Sequence, residues 1–250
     1  MFDLTGRVAL VTGAGQGVGE GIAACLAARG AVVGVNDLVP ERAEAACERI
    51  AAAGGEAVPV PFDVTDHDRV VAGFARLAET TGPVTILVNN AGIPPTMALQ
   101  PFRDTTPADW APYLAVNLLG VLHCCHAALP AMRTAAWGRI ITISSGAGTA
   151  GTHLGVATYG AGKGGALSFM RNLALEEARA GITANSVALG LIAKDRAAAT
   201  AAVDKMAASV PVGRMGLPTD VGALCVYLAS EEAGWMTGQT LQLNGGSITT

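Results

Sequence analysis

Seven short apolar runs, mostly β-branched, alternate with longer helical segments along the whole chain. The runs are Arg7–Thr12 (RVALVT), Ala31–Asn36 (AVVGVN), Ala57–Phe62, Ile86–Asn89, Arg139–Ser144 (RIITIS), Ile182–Val187 and Thr240–Leu243. Between them, helices are expected over Val18–Arg29, Pro40–Ala53, Asp66–Thr81, about 107–133, Tyr159–Arg179, Arg196–Ala208 and Thr219–Leu228. Strands that alternate with helices build a parallel sheet covered on both faces. No linker, charge block or repeat divides the 250 residues, so a single α/β domain over 1–250 is expected, a doubly wound Rossmann-like sheet of about seven strands. Such sheets bind ligands beyond the carboxyl ends of their strands, and chemistry is sought there.

Composition narrows the partners. The formal net charge is −4 and no Lys/Arg run occurs, which argues against a nucleic-acid partner. The start, MFDLTGRVALVTG, has no basic n-region and reads as no signal peptide. Five cysteines without a CxxC fit reduced, buried thiols in a cytoplasmic protein. Trp110 to Met132 is 23 residues without a formal charge, long enough to span a membrane. Pro112, Asn117, Gly120, His123, His126 and Pro130 interrupt it, so no membrane partner is expected. A helix buried on several sides, partly by another subunit, explains it better.

The turn after the first strand reads Thr12-Gly13-Ala14-Gly15-Gln16-Gly17-Val18-Gly19. Glycines there let the backbone approach a pyrophosphate, and the next helix aims free N–H groups at it. Asp37 closes the second strand. Its carboxylate suits a ribose 2′-OH and repels a 2′-phosphate; the alternative is that it caps the next turn. With Gln16 neutral, both features favour NAD over NADP. Tyr159 and Lys163 are four apart on one helix face. An ammonium beside a phenol lowers its pKa, and the pair can exchange a proton with a substrate hydroxyl. Ser144 and Ser145 end the preceding strand, Asn89-Asn90-Ala91-Gly92 follows the fourth, and Asn117 is an amide in an apolar helix, in need of a partner.

These motifs, in this order, resemble the short-chain dehydrogenase/reductase family: TGAGQGVG at 12–19, Asp63-Val64, NNAG at 89–92, Asn117, Ser145 and Tyr159-Gly-Ala-Gly-Lys163. The similarity continues through Gly213-Arg-Met-Gly-Leu-Pro218, Thr237-Gly-Gln239 and Gly245-Gly246. The resemblance implies hydride transfer between NAD(H) and a secondary alcohol or ketone, on a small or CoA-linked substrate. It implies Tyr159 as general acid/base, with Lys163 lowering its pKa and holding the nicotinamide ribose. Ser145 would polarise the substrate oxygen, and Asn117 would organise a water linking Lys163 to solvent. Gly13, Gln16, Gly17, Val18, Gly19 and Asp37 would bind the dinucleotide, Asp63 and Val64 its adenine. Asn89 and Ala91 would line the cleft, and Gly190 and Ile192 would border the nicotinamide. A homotetramer through the 107–133 and Tyr159-bearing helices is the assembly implied.

The sequence departs from the family in three places. Thirteen residues separate Ser145 from Tyr159, one more than expected; the extra one is placed in the 152–158 loop, and Ser144 is the other candidate serine. Leu189-Gly190 stands where the family has Pro-Gly, and Lys194 where it has a carboxamide-holding Thr; the backbone of Leu191 and Ile192 could hold the carboxamide instead. Thr134-Ala-Ala-Trp137 and Ala180 lack the basic residues expected of a reductase of acyl-carrier-protein thioesters. The rivals are an NADPH-dependent 3-oxoacyl-carrier-protein reductase and a non-catalytic NAD-binding regulator. His123-Cys-Cys-His126 cannot converge on one ion, since successive helix positions lie about 100° apart, so no metal is expected. His153 lies in the loop near the proposed site, where it either touches substrate or is a solvated loop residue, the second reading being preferred.

Overall fold

Along the first strand, Ala9 and Val11 face one side of the sheet and Val8 and Leu10 the other, and each side carries its own apolar core. The computed structural model describes residues 1–93, 97–193 and 201–249, without the side chains of 201–203. Seven strands form one parallel sheet: β1 (Val8–Val11), β2 (Val32–Val35), β3 (Glu56–Pro59), β4 (Ile86–Asn89), β5 (Gly138–Ser145), β6 (Ile182–Leu189) and β7 (Thr240–Leu243). Their order is β3-β2-β1-β4-β5-β6-β7. The order reverses between β1 and β4, where the chain crosses from one half of the sheet to the other.

Helices α1 (Gly17–Ala27), α2 (Pro40–Ala52) and α9 (Pro218–Ala229) cover one face, with Ile22, Leu26, Ala43, Ile50, Val221 and Cys225 in its core. Helices α3 (His67–Thr81), α5 (Gly120–Thr134) and α7 (Ala157–Glu177) cover the other, with Phe74, Leu77, Cys124, Met132, Met170 and Leu173 inside. All five thiols are free; Cys25 is half-buried and the rest are buried.

Four details differ from the sequence expectation. The third strand stops at Pro59, not Phe62. Pro61 has no N–H for a ladder, and the Asn36 side chain instead takes the Val60 and Phe62 carbonyls, both at 3.0 Å. The helix expected over 107–133 is two helices, α4 (Pro107–Leu114) and α5, joined by a π-helical turn at Ala115–Leu119. Asn117 sits in this turn, and its side-chain N–H donates to the Tyr113 carbonyl at 2.9 Å, the acceptor a regular i→i−4 bond would use. A four-residue helix, α6 (Gly146–Thr149), follows β5 and was not expected. Of the 196–208 helix, α8 (Ala201–Ala208) is present; residues 196–200 lie outside the described residues. The 107–134 stretch is long and apolar enough to cross a membrane, yet Val121, Cys124, Cys125, Ala128 and Met132 are buried against the sheet.

Candidate active site

The glycine turn lies at the carboxyl end of β1, beside the β4 turn. Gly13 has φ +61°, and a Cβ there would stand 2.9 Å from the Ala91 Cα, so only glycine allows the two turns to approach. At Gly17, φ +60°, the missing Cβ faces open space, and Gln16 ahead of α1 makes no side-chain cap. The first turn of α1 therefore keeps backbone N–H groups for an anion. Gln16 is exposed, Val18 half-buried and Gly19 buried beneath the turn.

Residues that sequence reasoning did not single out hold these loops together. The Thr12 hydroxyl accepts from the Asn90 and Ala91 N–H groups at 3.0 and 3.1 Å. The Asn90 side chain donates back to the Thr12 and Gly13 carbonyls at 2.9 and 3.0 Å. Asn36 accepts from the Ala14 N–H through its backbone at 2.6 Å. A readable signal existed: each is a polar residue ending a strand that is otherwise apolar.

Asp37 is buried, and its carboxylate caps the turn that follows, as one of the two readings expected. One carboxylate oxygen accepts from the Gly15 N–H at 3.2 Å, the other caps the Val39 N–H at 3.0 Å. An ionised carboxylate has about four lone-pair sites, so capacity for ribose hydroxyls remains. Arg42 was overlooked: a Cβ on Gly15 would lie 2.6 Å from the Arg42 Cβ and 2.7 Å from Asp37 Oδ2, which puts this cation's stem beside the turn. Asp63 accepts from the Thr65 N–H and hydroxyl, both at 2.8 Å. Val64, Asn89 and Ala91 line one tight crevice with Thr12, Val116 and Gly120.

Ser145, Tyr159, Lys163 and Asn117 meet beyond the end of β5. The Ser145 hydroxyl caps α6 by accepting from the Ala147 N–H at 3.2 Å and lies close enough to the Tyr159 phenol to favour its ionised form. Ser144 is buried, and its hydroxyl has no partner among the described residues. Of the two serines, Ser145 is thus the one beside the phenol. Lys163 is buried, donates to the Ile143 carbonyl at 2.7 Å, and has Nζ 5.8 Å from the centre of the Tyr159 ring.

The expected lowering of the Tyr159 pKa by Lys163 is not what the site holds. Burial pushes the phenol up, opposed only by the Ser145 hydrogen bond. Burial also pulls Lys163 down to about 8. The ammonium turned towards the Ile143 carbonyl, and desolvation of both groups wins over their attraction.

Gly92 shows that this corner is shaped around its neighbours: a Cβ there would stand 2.6 Å from Lys163 Nζ and 2.9 Å from Asn117 Oδ1. That Asn117 oxygen is buried without a partner among the described residues, as is Asn89 Oδ1. The orphaned Asn117 acceptor and a Cβ-free floor fit a group that brings hydroxyl or water donors into the cleft, as a nicotinamide ribose does. At the end of β6, Leu189 pairs with both Ser145 and Leu243. Gly190 is forced by contact, since a Cβ would stand 2.8 Å from the Asn244 Cα. Ile192 bridges Gly216 through the flanking Leu191 carbonyl and Ala193 N–H, which leaves its own N–H and C=O on the opposite side. Lys194 lies outside the described residues. A cavity of about 170 Å³ opens beside Tyr159, lined by Gln100, Phe102, Trp110, Tyr113 and Thr158 among others. His153 is exposed in its loop.

Comparison with known proteins agrees with this geometry. The family described as Enoyl-(Acyl carrier protein) reductase matches residues 13–247. Acetoacetyl-CoA reductase of Rhizobium meliloti (strain 1021) is 37% identical over 244 residues, 96% of this chain and 98% of that one. The 3-oxoacyl-(acyl-carrier-protein) reductase FabG of Escherichia coli (strain K12) is 38% identical over 247 residues, 98% of each chain. A crystal structure of a short-chain type dehydrogenase/reductase from Mycobacterium marinum superposes with a TM-score of 0.91 at 31% identity, over 100% of this chain and 98% of the other. With the glycine turn, the serine–tyrosine contact and the buried lysine in one cleft, the chain belongs to the short-chain dehydrogenase/reductase family and is an oxidoreductase acting on CH–OH and C=O groups.

Proposed function

We propose that this enzyme prefers NAD(H) and interconverts a secondary alcohol and a ketone on a small or CoA-linked acyl substrate, as a homotetramer in the cytoplasm. The observation that carries the cofactor reading is the buried Asp37 carboxylate, bonded to Gly15 at the mouth of the glycine turn. A 2′-phosphate there would face a buried negative charge. The dinucleotide supplies or accepts the hydride. Tyr159 would transfer the proton at the substrate oxygen, Ser145 would orient that oxygen, and Lys163 and Asn117 would hold the nicotinamide ribose. Tyr159 would give its proton to the carbonyl oxygen in reduction and take one from the hydroxyl in oxidation. The relatives named acetoacetyl-CoA reductase and FabG support a 3-oxoacyl thioester as substrate.

Arg42 favours a second reading, NADPH with an acyl-carrier-protein thioester, because its guanidinium could reach a 2′-phosphate over Gly15. Steady-state reduction of acetoacetyl-CoA with each cofactor separates the two. We expect kcat/KM at least about 10-fold higher with NADH, and Asp37→Ser to shrink that ratio by about 10-fold. Equal or better use of NADPH by the parent protein would decide for the second reading.

The tetramer reading rests on exposed apolar side chains along the helices concerned, Leu114 and Leu119 at the π-helical turn and Leu175 on α7. A monomer mass by light scattering at micromolar concentration would contradict it.

A further inference from the structure

Three histidines meet where the first turn of α3 packs on α5, on a flank that the proposed chemistry does not use. The rings of His67 and His123 lie 5.4 Å apart, as do those of His67 and His126. Along α5 itself, His123-Cys124-Cys125-His126 is no ligand set, because both thiols are buried against the sheet. The partner comes from another helix: His67 Nε2 stands 3.3 Å from His126 Nδ1. Two nitrogens each about 2.0–2.1 Å from one tetrahedral ion are themselves about 3.3 Å apart.

We propose that His67 and His126 form a two-imidazole site for a borderline transition-metal cation, Zn²⁺ by its chemistry, with water completing the coordination. Imidazole nitrogens are preferred ligands of Zn²⁺ and its neighbours, and poor ligands of Mg²⁺ or Ca²⁺. Surrounding groups are arranged as around a ligating imidazole. The Asp68 carboxylate lies 3.6 Å from His67 Nδ1, behind the nitrogen that faces His126. His123 Nδ1 lies 3.0 Å from the Val64 carbonyl, which only accepts, so Nδ1 is the donor and Nε2 is the nitrogen left to face outward. Among the described residues no three His, Cys, Asp or Glu side chains converge on one point as built. The ion therefore has two protein ligands, with His123 the neighbour that a ring rotation could add. The His67 side chain is 42% exposed, which gives an ion its path in.

Isothermal titration of the tag-free protein with ZnCl₂, in the presence of excess Mg²⁺, tests this. The expected result is one Zn²⁺ per chain, bound at least about 10-fold more weakly by His67→Ala and by His126→Ala, and unchanged in His153→Ala. A loss of less than about threefold in either helix variant, displacement by Mg²⁺, or no saturable binding overturns the site. None of these outcomes depends on which cofactor or substrate the enzyme uses.

Discussion

Tyr159→Phe is expected to lower kcat by about 10²–10⁴-fold while leaving NADH affinity within about twofold. Phenylalanine keeps the ring that packs beside the cavity and removes only the hydroxyl that Ser145 bonds. The rest of the dinucleotide cleft, from Gly13 to Asp37, lies on other elements and is untouched. Fluorescence titration with NADH and turnover of a 3-oxoacyl thioester, run on the same preparation, separate the two effects. Turnover within tenfold of the parent would remove Tyr159 from the proton-transfer role.

Lys163→Met is expected to abolish turnover as well, but with an opposite signature in stability. The parent lysine has its pKa drawn from 10.5 to about 8 by burial. Below about pH 8 the ammonium is charged in both folded and unfolded chains, and the fold carries its whole desolvation penalty. Between about pH 8 and 10.5 the unfolded chain still holds a proton that the folded one has released, so the parent gains stability as pH rises. The gain corresponds to about 3 kcal/mol across that window. Methionine has no proton to release, so it escapes the penalty but leaves the Ile143 carbonyl without its donor at every pH. Urea unfolding at pH 7.5 and 10.5 should therefore find the variant-minus-parent difference moving by about 3 kcal/mol in favour of the parent as pH rises. A difference that stays flat would mean that Lys163 is not strained by burial.

The alternation of apolar runs and helices made the sheet legible, because residues of opposite parity in β1 must serve two separate cores. The glycine turn was legible for a similar reason: Gly13 and Gly17 adopt backbone angles that few other residues tolerate. What stayed hidden depends on partners far apart in the chain. The polar end of the fourth strand marks Asn90 but does not say that its side chain will clasp Thr12 and Gly13, and nothing near His126 announces His67. Arg42 reads as one charge on a solvated helix until Gly15 is folded against it. The Tyr159 pKa was misjudged because spacing along a helix reports neighbours, not how much water they have lost.

The widened turn at Ala115–Leu119 acts as a phase slip. One additional residue rotates everything after it by about 100° relative to everything before. The leading segment, with none of its residues buried, can thus offer Trp110 and Tyr113 to the cavity wall, while the trailing one points Val121, Cys124, Cys125 and Met132 inward. Read with a single period, the two stripes blur into a uniformly greasy rod, which is why the segment mimics a bilayer span. Deleting one residue would bring the stripes into register and force one of them to abandon its surroundings.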